Sequence, residues 1–289
     1  MRYVEIIDAD AGLLMAGTFK GLTQAQIDKR FKEGRGQGQG ADYKPFIYTR
    51  DVSSLGRSHR LLGSKSRRLH HFLSDLELAI FLTLDWSPRV TDIREQFPMM
   101  VVDTVRIAEE IGLAHGRYQG IPQVLTSDFL VDFDDQQRPT VAIQAKYSAD
   151  LQKPEVIERL ELERRYWLEK GIPWVIVTER EVPKEAIANI QWLYPAQSED
   201  DISADELEHY RQLFLYEFRR DPDRRLTAIA QGLDVSGELE PGQALYWLRQ
   251  LLARHCFLFD IGKPYRELST KDLAVNPHYE LQGLSSAAR

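Results

Sequence analysis

Two neighbouring stretches, residues 126–133 and 140–146, constrain the fold of this chain more than any other feature. Both are rich in Thr, Val, Phe, Leu and Ile, which favour extended backbone. The polar segment 134–139 between them has the composition of a turn. The pattern therefore predicts two β-strands joined as a hairpin.

The alternation of side chains along these strands places chemical groups on defined faces. Asp128, Leu130 and Asp132 share one face of the first strand, and Gln144 and Lys146 share one face of the second. The hairpin can thus carry an acid, an amide oxygen and an ammonium group on one surface.

This set of groups suits a Mg²⁺-dependent phosphodiesterase. Asp128 would be the central metal ligand, and Gln144 would add a neutral carbonyl oxygen. Lys146 would orient the attacking water or stabilise the charge of the transition state. Asp132 lies further along the strand and is expected to play a supporting part. Periodicity alone favours a plainer interpretation, in which an exposed strand carries an amide and an ammonium group.

Glu77 is the candidate for completing the site. Ser74 and Glu77 match the Ser-x-x-Glu pattern of a helix N-terminus, and apolar residues follow at helical spacing. Capping is the favoured explanation of Glu77 from this stretch alone. The alternative is that its carboxylate binds the metal or helps to activate water.

Composition describes a soluble, globular chain. Of its residues, 43% are hydrophobic and 28% are charged, and no apolar run is long enough to span a membrane. The N-terminus carries acids where a signal peptide needs an apolar core. The single cysteine, Cys256, excludes an internal disulfide and is expected to be a buried thiol. We therefore expect a cytoplasmic protein with no membrane partner.

The net charge of −7 argues against a general nucleic-acid coat protein, but positive charge is concentrated in one acid-free stretch, 52–74. Such a stretch can neutralise DNA phosphates, and a solvated basic loop is an equally good explanation. The DNA-binding candidates are Arg57, Arg60, Lys65, Arg67 and Arg68.

The chain divides into three parts by pattern. Residues 1–41 form an N-terminal extension that ends in a glycine-rich flexible linker. Residues 42–178 alternate helices and strands and close on a buried apolar strand at 173–178, which predicts an α/β domain. Residues 179–289 form a mainly helical domain.

The C-terminal part has the pattern of a winged helix. Two helices at 226–235 and 241–254 are followed by a possible hairpin at 257–268, with Gly262 and Lys263 at its tip. Acids flank this unit, so a protein partner is at least as well supported as DNA.

Several short motifs in this order resemble the TnsA family, the endonuclease subunits of heteromeric, Tn-type transposases. The motifs lie at 53–60, 70–77, 92–98, 126–129, 142–146 and 162–167. The similarity covers residues 43–178 and extends to the C-terminal part only in general layout.

The resemblance implies a restriction-endonuclease-like core with a mixed central sheet. It also implies an active site of Glu77, Asp128, Gln144 and Lys146, with Mg²⁺ as cofactor and Mn²⁺ able to substitute for it. Glu77, Asp128 and Gln144 would bind the metal. Glu163 matches a further acid of the family, for which a salt bridge on the helix surface is the alternative explanation.

The resemblance further implies cleavage at the 5′ ends of a transposon during cut-and-paste transposition. The partners would be the transposon-end DNA, an integrase-like transposase that cuts the 3′ ends, and an ATPase regulator that contacts the C-terminal domain. Two other functions remain open at this stage. One is a stand-alone restriction or repair endonuclease of the same fold, and the other is a non-catalytic adaptor for DNA or a partner protein.

Overall fold

The structure is a computed structural model that describes residues 21–52, 57–137, 139–197, 199, 201–237 and 239–276. Its helices are α1 (Gln24–Lys32), α2 (Asp75–Trp86), α3 (Val101–Glu110), α4 (Pro154–Glu169), α5 (Lys184–Gln197), α6 (Ala204–Arg220), α7 (Leu226–Ser236) and α8 (Gln243–Ala253). Its strands are β1 (His59–Leu62), β2 (Leu69–Phe72), β3 (Val90–Pro98), β4 (Arg117–Tyr118), β5 (Ile121–Pro122), β6 (Thr126–Phe133), β7 (Thr140–Ala145), β8 (Trp174–Val177), β9 (Phe257–Leu258) and β10 (Ala274–Val275). Within the described ranges, no helix has the length and apolar character needed to cross a bilayer.

The chain folds into two compact units, which meet in sequence between Arg180 and Glu181. The sequence placed this boundary at residue 178. The first unit is built on a four-stranded sheet with the order β3-β6-β7-β8. Strand β6 pairs antiparallel with β3 and with β7, and β8 runs parallel to β7 after the α4 crossover. The predicted α/β class and mixed central sheet are confirmed.

The two faces of this sheet bury different clusters. On one face, α3 and α4 cover a set of apolar side chains, which includes Met99, Ile107, Ala108, Leu130, Ala142, Leu162, Tyr166 and Trp167. Phe129 points the other way along β6 and stacks near Phe72, which in turn contacts Phe81 of α2 at a centroid distance of 4.7 Å. The sheet is therefore buried on both faces, and α2 is held firmly against it.

Strand β8 corrects one expectation. The sequence predicted a fully buried strand at 173–178, but Val175 is 41% exposed. The reason is position: β8 pairs only with β7 in the described sheet and forms its edge. An apolar run shows that a strand is packed on a face, but its sequence does not report which strands lie beside it.

The glycine-rich segment corrects a second expectation, that of a flexible linker. Its described part is packed against the first unit. Gly36 donates its N–H to the carbonyl of Lys44, and Arg35 pairs with Asp51. Gly36 has φ of 76°, and a Cβ there would lie 2.2 Å from Cγ of Pro98. Glycine is thus required by close approach as well as by its left-handed backbone.

The second unit contains α5 to α8 and the short β9–β10 pair. Helices α6 and α8 are joined by a stack of Tyr210 on Trp247 at 4.0 Å. The predicted hairpin at 257–268 is wrong, because β9 pairs with β10 at Ala274–Val275. Asn189 of α5 binds the carbonyls of Ile261 and Lys263 instead, so a tertiary contact fixes the expected tip.

A buried ion-pair network fastens β2 and the preceding turn to β3. Glu95, with no exposed side-chain surface, accepts from both terminal nitrogens of Arg68 at 2.8 and 2.6 Å and pairs with Nδ1 of His70 at 2.8 Å. Nε2 of His70 lies 2.7 Å from the hydroxyl of Ser66. Burial raises the pKa of Glu95, but the charge and hydrogen bond of His70 and those of Arg68 outweigh it and bring the pKa to about 2.

We predict that Glu95→Gln destabilises the first unit strongly. The change leaves the guanidinium of Arg68 buried beside a neutral amide, and such a loss costs about 3–5 kcal/mol in the free energy of unfolding. Urea unfolding at pH 7 measures it. The control is Glu161→Gln on α4, whose carboxylate also binds two arginines but is solvent-accessible; we expect a change within about 1 kcal/mol. Equal effects of the two substitutions would contradict this account.

Candidate active site

Glu77 serves the helix cap and the site at once. Ser74 is the N-cap of α2 and accepts from the Glu77 N–H at 3.1 Å, as the sequence predicted. The Glu77 carboxylate accepts from the Ser74 hydroxyl at 2.9 Å and from the N–H of Leu73 at 2.9 Å, rather than from the N–H of Ser74 itself. Capping holds the buried carboxylate in one orientation.

Asp128 and Gln144 lie where β6 and β7 separate. Backbone pairing runs as far as Phe129 and Ile143. Beyond that pair, Oδ2 of Asp128 accepts from the N–H of Ala145 at 2.8 Å, and Oε1 of Gln144 accepts from the N–H of Asp128 at 3.2 Å. Side chains thus replace backbone groups in the ladder. The Gln144 carbonyl keeps a second lone pair for a ligand.

Gln96 of β3 joins the two acids, and sequence reasoning missed it. Its Nε2 lies 3.2 Å from Oε2 of Glu77 and 3.2 Å from Oδ1 of Asp128. Its Oε1 accepts from the hydroxyl of Thr126 at 3.2 Å. The side chain is 2% exposed. The signal available in the sequence was its place inside the 92–98 motif, although alternation gives no reason to single it out.

Lys146 follows β7 directly and is half-buried, and its N–H donates to the carbonyl of Val177 at 3.1 Å. Its charge acts on Asp128, as does that of Arg159, an exposed residue of α4 that the sequence analysis did not single out. Arg159 also acts on Glu163, one helical turn further on. The carboxylates therefore lie in the field of two cations.

Glu163 of α4 is buried against Ser127, the residue before Asp128, rather than paired on the helix surface, so the surface salt bridge is wrong. It is 2% exposed and accepts from the hydroxyl of Ser127 at 2.6 Å and from Nε1 of Trp174 at 3.0 Å. Nε1 of Trp167 donates to the same hydroxyl at 2.7 Å. Ser127 of β6, which precedes Asp128, is thereby fixed against α4.

Asp132 does not join this group. Both its carboxylate oxygens accept from Arg94 at 2.7 Å, and Oδ1 also accepts from the hydroxyl of Thr140 at 2.7 Å. Four residues along an extended strand correspond to about 13 Å, which separates Asp132 from Asp128. Asp128 and Asp132 share a face of the strand in the sequence pattern, but they lie in two different environments.

The predicted DNA-binding cations fall into two groups. Arg57, Arg60 and Arg67 are exposed, and Arg57 lies 3.6 Å from Asp75. Lys65 is half-buried. Arg68 is different, because it is buried with its guanidinium on Glu95. Its charge is internally compensated, which makes a phosphate contact a poor explanation for Arg68.

Comparison with known proteins gives two matches to family models. Residues 87–179 match the model described as TnsA-like endonuclease N terminal, and residues 181–261 match TnsA endonuclease C terminal. The chain is also similar to the transposon Tn7 transposition protein TnsA of Escherichia coli, with 40% identity over 274 residues, which cover 95% of this chain and 100% of that protein. The chain belongs to the TnsA family. It is therefore a DNA-cleaving enzyme of transposition.

The electrostatics of the candidate site are dominated by two carboxylates, that of the buried Glu77 and that of the half-buried Asp128. Burial, and then the charge of Asp128, raises the pKa of Glu77 to about 8. Burial also raises the pKa of Asp128, against the lowering effect of Lys146, of the Ala145 N–H and of Arg159. Close acids that resist ionisation together are typical of functional sites.

The donor atoms fit a hard divalent cation. Glu77, Asp128 and Gln144 offer only oxygen, which Mg²⁺ prefers. The set contains two carboxylates and one amide. Among the described residues there is no group of three or more His, Cys, Asp or Glu side chains that could hold a metal. A bound cation would favour the ionised form of both acids, against the effect of burial.

We predict a pH-dependent stability that originates in Glu163. Burial raises the pKa of Glu163 to about 7, despite hydrogen bonds from Ser127 and Trp174. Because the pKa is higher in the folded state, the stabilisation is fully present below the unfolded value of 4.5 and is lost as the pH rises through 7. Glu163→Gln keeps an acceptor without ionising. We expect the fall in unfolding free energy between pH 5 and 8 to shrink by on the order of 2–3 kcal/mol.

Urea unfolding at pH 5 and pH 8 in chelated buffer makes this measurement. The control is Glu155→Gln, an exposed position on the same helix, which should keep the wild-type pH dependence. An unchanged pH dependence in Glu163→Gln would show that Glu163 ionises normally.

Proposed function

We propose that this endonuclease is Mg²⁺-dependent and cleaves the 5′ ends of a transposon during cut-and-paste transposition. One observation carries the proposal: Glu77, Asp128 and Gln144, from a helix and two strands, converge as a buried set of oxygen donors beside Lys146. The family membership supplies the reaction class, and the donor chemistry supports the cofactor. Mn²⁺, which also accepts oxygen ligands, should substitute.

Each residue has a role that its surroundings support. Glu77, Asp128 and Gln144 would hold the divalent ion, which supplies a polarised phosphoryl group and an activated water when bound. Lys146 would orient the nucleophile or stabilise negative charge on the phosphate as the bond breaks. Glu163, with a raised pKa, supports the site from behind Ser127.

We infer a restriction-endonuclease-like architecture for the first unit and a winged-helix-like one for the second. In favour of the first, the acids come from α2 and from the diverging ends of β6 and β7 in a mixed sheet. In favour of the second, α7 and α8 are followed by the small β9–β10 pair. The α7–α8 unit would contact an ATPase regulator.

We also propose that end specificity comes from a partner, an integrase-like transposase that cuts the 3′ ends. Acids outnumber cations, with a net charge of −7, and the acid-free basic stretch at 52–74 surrounds β1. Arg57, Arg60, Lys65 and Arg67 are the candidates that the structure keeps near solvent. Tight and selective binding of a transposon end by the purified protein alone would contradict this part.

We predict that Asp128→Asn abolishes cleavage of the 5′ strands and spares cleavage of the 3′ strands. The amide removes one of the two carboxylates and should lower the rate at least 100-fold, as expected for loss of a metal ligand. The measurement is strand-resolved cleavage of end-containing DNA with Mg²⁺ and the cognate transposase.

The matched control is Asp132→Asn, an acid on the same strand whose carboxylate binds Arg94. The assembly that contains this variant should cut both strands at wild-type rates. Unchanged 5′ cleavage by Asp128→Asn would favour the adaptor instead. Efficient cleavage of plain DNA by the wild-type chain without partners would favour a stand-alone restriction or repair endonuclease.

We predict that the cations near β1 bind DNA phosphates. The double substitution Arg60→Ala and Arg67→Ala should weaken binding uniformly across sequences and reduce the slope of log affinity against log salt concentration by about 1 for each lost contact. Fluorescence anisotropy of the transposase–DNA assembly at several salt concentrations measures the slope. Arg106→Ala on α3, paired with Glu110 and Glu169, is the control; an equal reduction there would identify a general charge effect.

A further inference from the structure

Gln96 contributes one amide nitrogen to both acids of the site. Nε2 lies 3.2 Å from Glu77 Oε2 and 3.2 Å from Asp128 Oδ1. Glu77 comes from α2 and Asp128 from β6, so this amide is a direct bridge between two elements. A hydrogen bond to a charged acceptor contributes more than one between neutral groups, and it restricts where that acceptor can lie.

The backbone at Gln96 departs from ordinary strand geometry. Its φ is +49°, in the left-handed region that non-glycine residues seldom adopt. The register is nevertheless the same on both sides, with Glu95 opposite Phe129 and Phe97 opposite Ser127. No residue has been inserted, and the left-handed residue lies at the position opposite Asp128.

Other contacts hold this conformation in place. The N–H of Phe46 donates to the carbonyl of Gln96 at 3.2 Å, and the hydroxyl of Tyr43 donates to the carbonyl of Glu95 at 3.0 Å. A residue in such a conformation costs on the order of 1–3 kcal/mol, and surrounding structure must offset that cost. Here the segment before β1 supplies the contacts that offset this cost.

The amide is also fixed in orientation. Thr126 donates to Oε1 at 3.2 Å, while the two carboxylates require a donor on the opposite side of the amide group. Reversing the amide would aim a carbonyl oxygen at two acids. The orientation with Nε2 toward Glu77 and Asp128 satisfies all three neighbours.

We propose that Gln96 is a positioning residue of the cleavage site, which holds the carboxylates of Glu77 and Asp128 at the separation needed for a divalent ion. This inference rests on the proposed function, because it assumes that these two acids bind the metal. Residues that hydrogen-bond to metal ligands typically change metal affinity or activity 10- to 100-fold when they are removed.

The test measures metal binding directly. Gln96→Met keeps the length of the side chain and removes the donor. We expect Ca²⁺ affinity of the full chain, measured by isothermal titration calorimetry, to fall about tenfold. The Mg²⁺ concentration for half-maximal 5′ cleavage in the reconstituted transposase should rise by the same factor, and activity should recover as Mg²⁺ increases.

Two further variants separate positioning from stability. Gln123→Met is the matched control, because its Nε2 also donates to two oxygens, the carbonyls of Leu22 and Ile121, away from the acids. It should lower thermal stability and leave Ca²⁺ affinity unchanged. Gln96→Gly removes the amide together with the left-handed strain, so it should keep or raise thermal stability and still weaken Ca²⁺ binding.

Unchanged or tighter Ca²⁺ binding in both Gln96 variants would overturn this inference. A different result would overturn the proposed function itself: Ca²⁺ binding that is equal in the wild type and in Asp128→Asn. The two failures are therefore distinguishable in one set of titrations.

Discussion

The candidate site is organised around two carboxylates that resist ionisation, those of Glu77 and Asp128. Glu77 and Asp128 both ionise with difficulty because they are shielded from water and because Asp128 raises the pKa of Glu77. An ionised group in such a place needs donors or a cation. The N–H groups of Leu73 and Ala145 and the amide of Gln96 are aimed at these oxygens. Under the proposed function, a divalent ion would stabilise the ionised form of these two acids.

Three ordinary pieces of secondary structure build the site, each with a local irregularity. Glu77, in the first turn of α2, is both part of the helix cap and one of the carboxylates of the site. Strands β6 and β7 separate, so that side chains of Asp128 and Gln144 replace backbone groups. Strand β3 turns through a left-handed residue. Such departures from regular geometry are expected where function competes with stability.

Glu95, the residue before Gln96 in β3, lies in the opposite electrostatic environment. Glu95 faces the buried network of Arg68 and His70, in which its charge is fully compensated and its pKa is lowered. Gln96 faces acids whose pKa values are raised. Two successive positions of one strand thus contact a stabilising ion-pair network and the two acids of the candidate site. The compensated network and the aromatic packing around Phe72 and Phe81 hold the strands rigid while the acids repel each other.

The sequence alone determined the features that depend on local pattern. It predicted the α/β class, the strands at 126–133 and 140–146, and the cap at Ser74, because alternation and capping involve residues close together in the chain. The acids of the site were proposed from strand alternation and helix position, and the family motifs gave that proposal more weight. Tertiary structure decided the rest: Gln96 as a bridge, the edge position of β8, the pairing of β9 with β10, and the burial of Arg68. Each of these depends on a contact between residues far apart in sequence, and periodicity carries no information about such contacts.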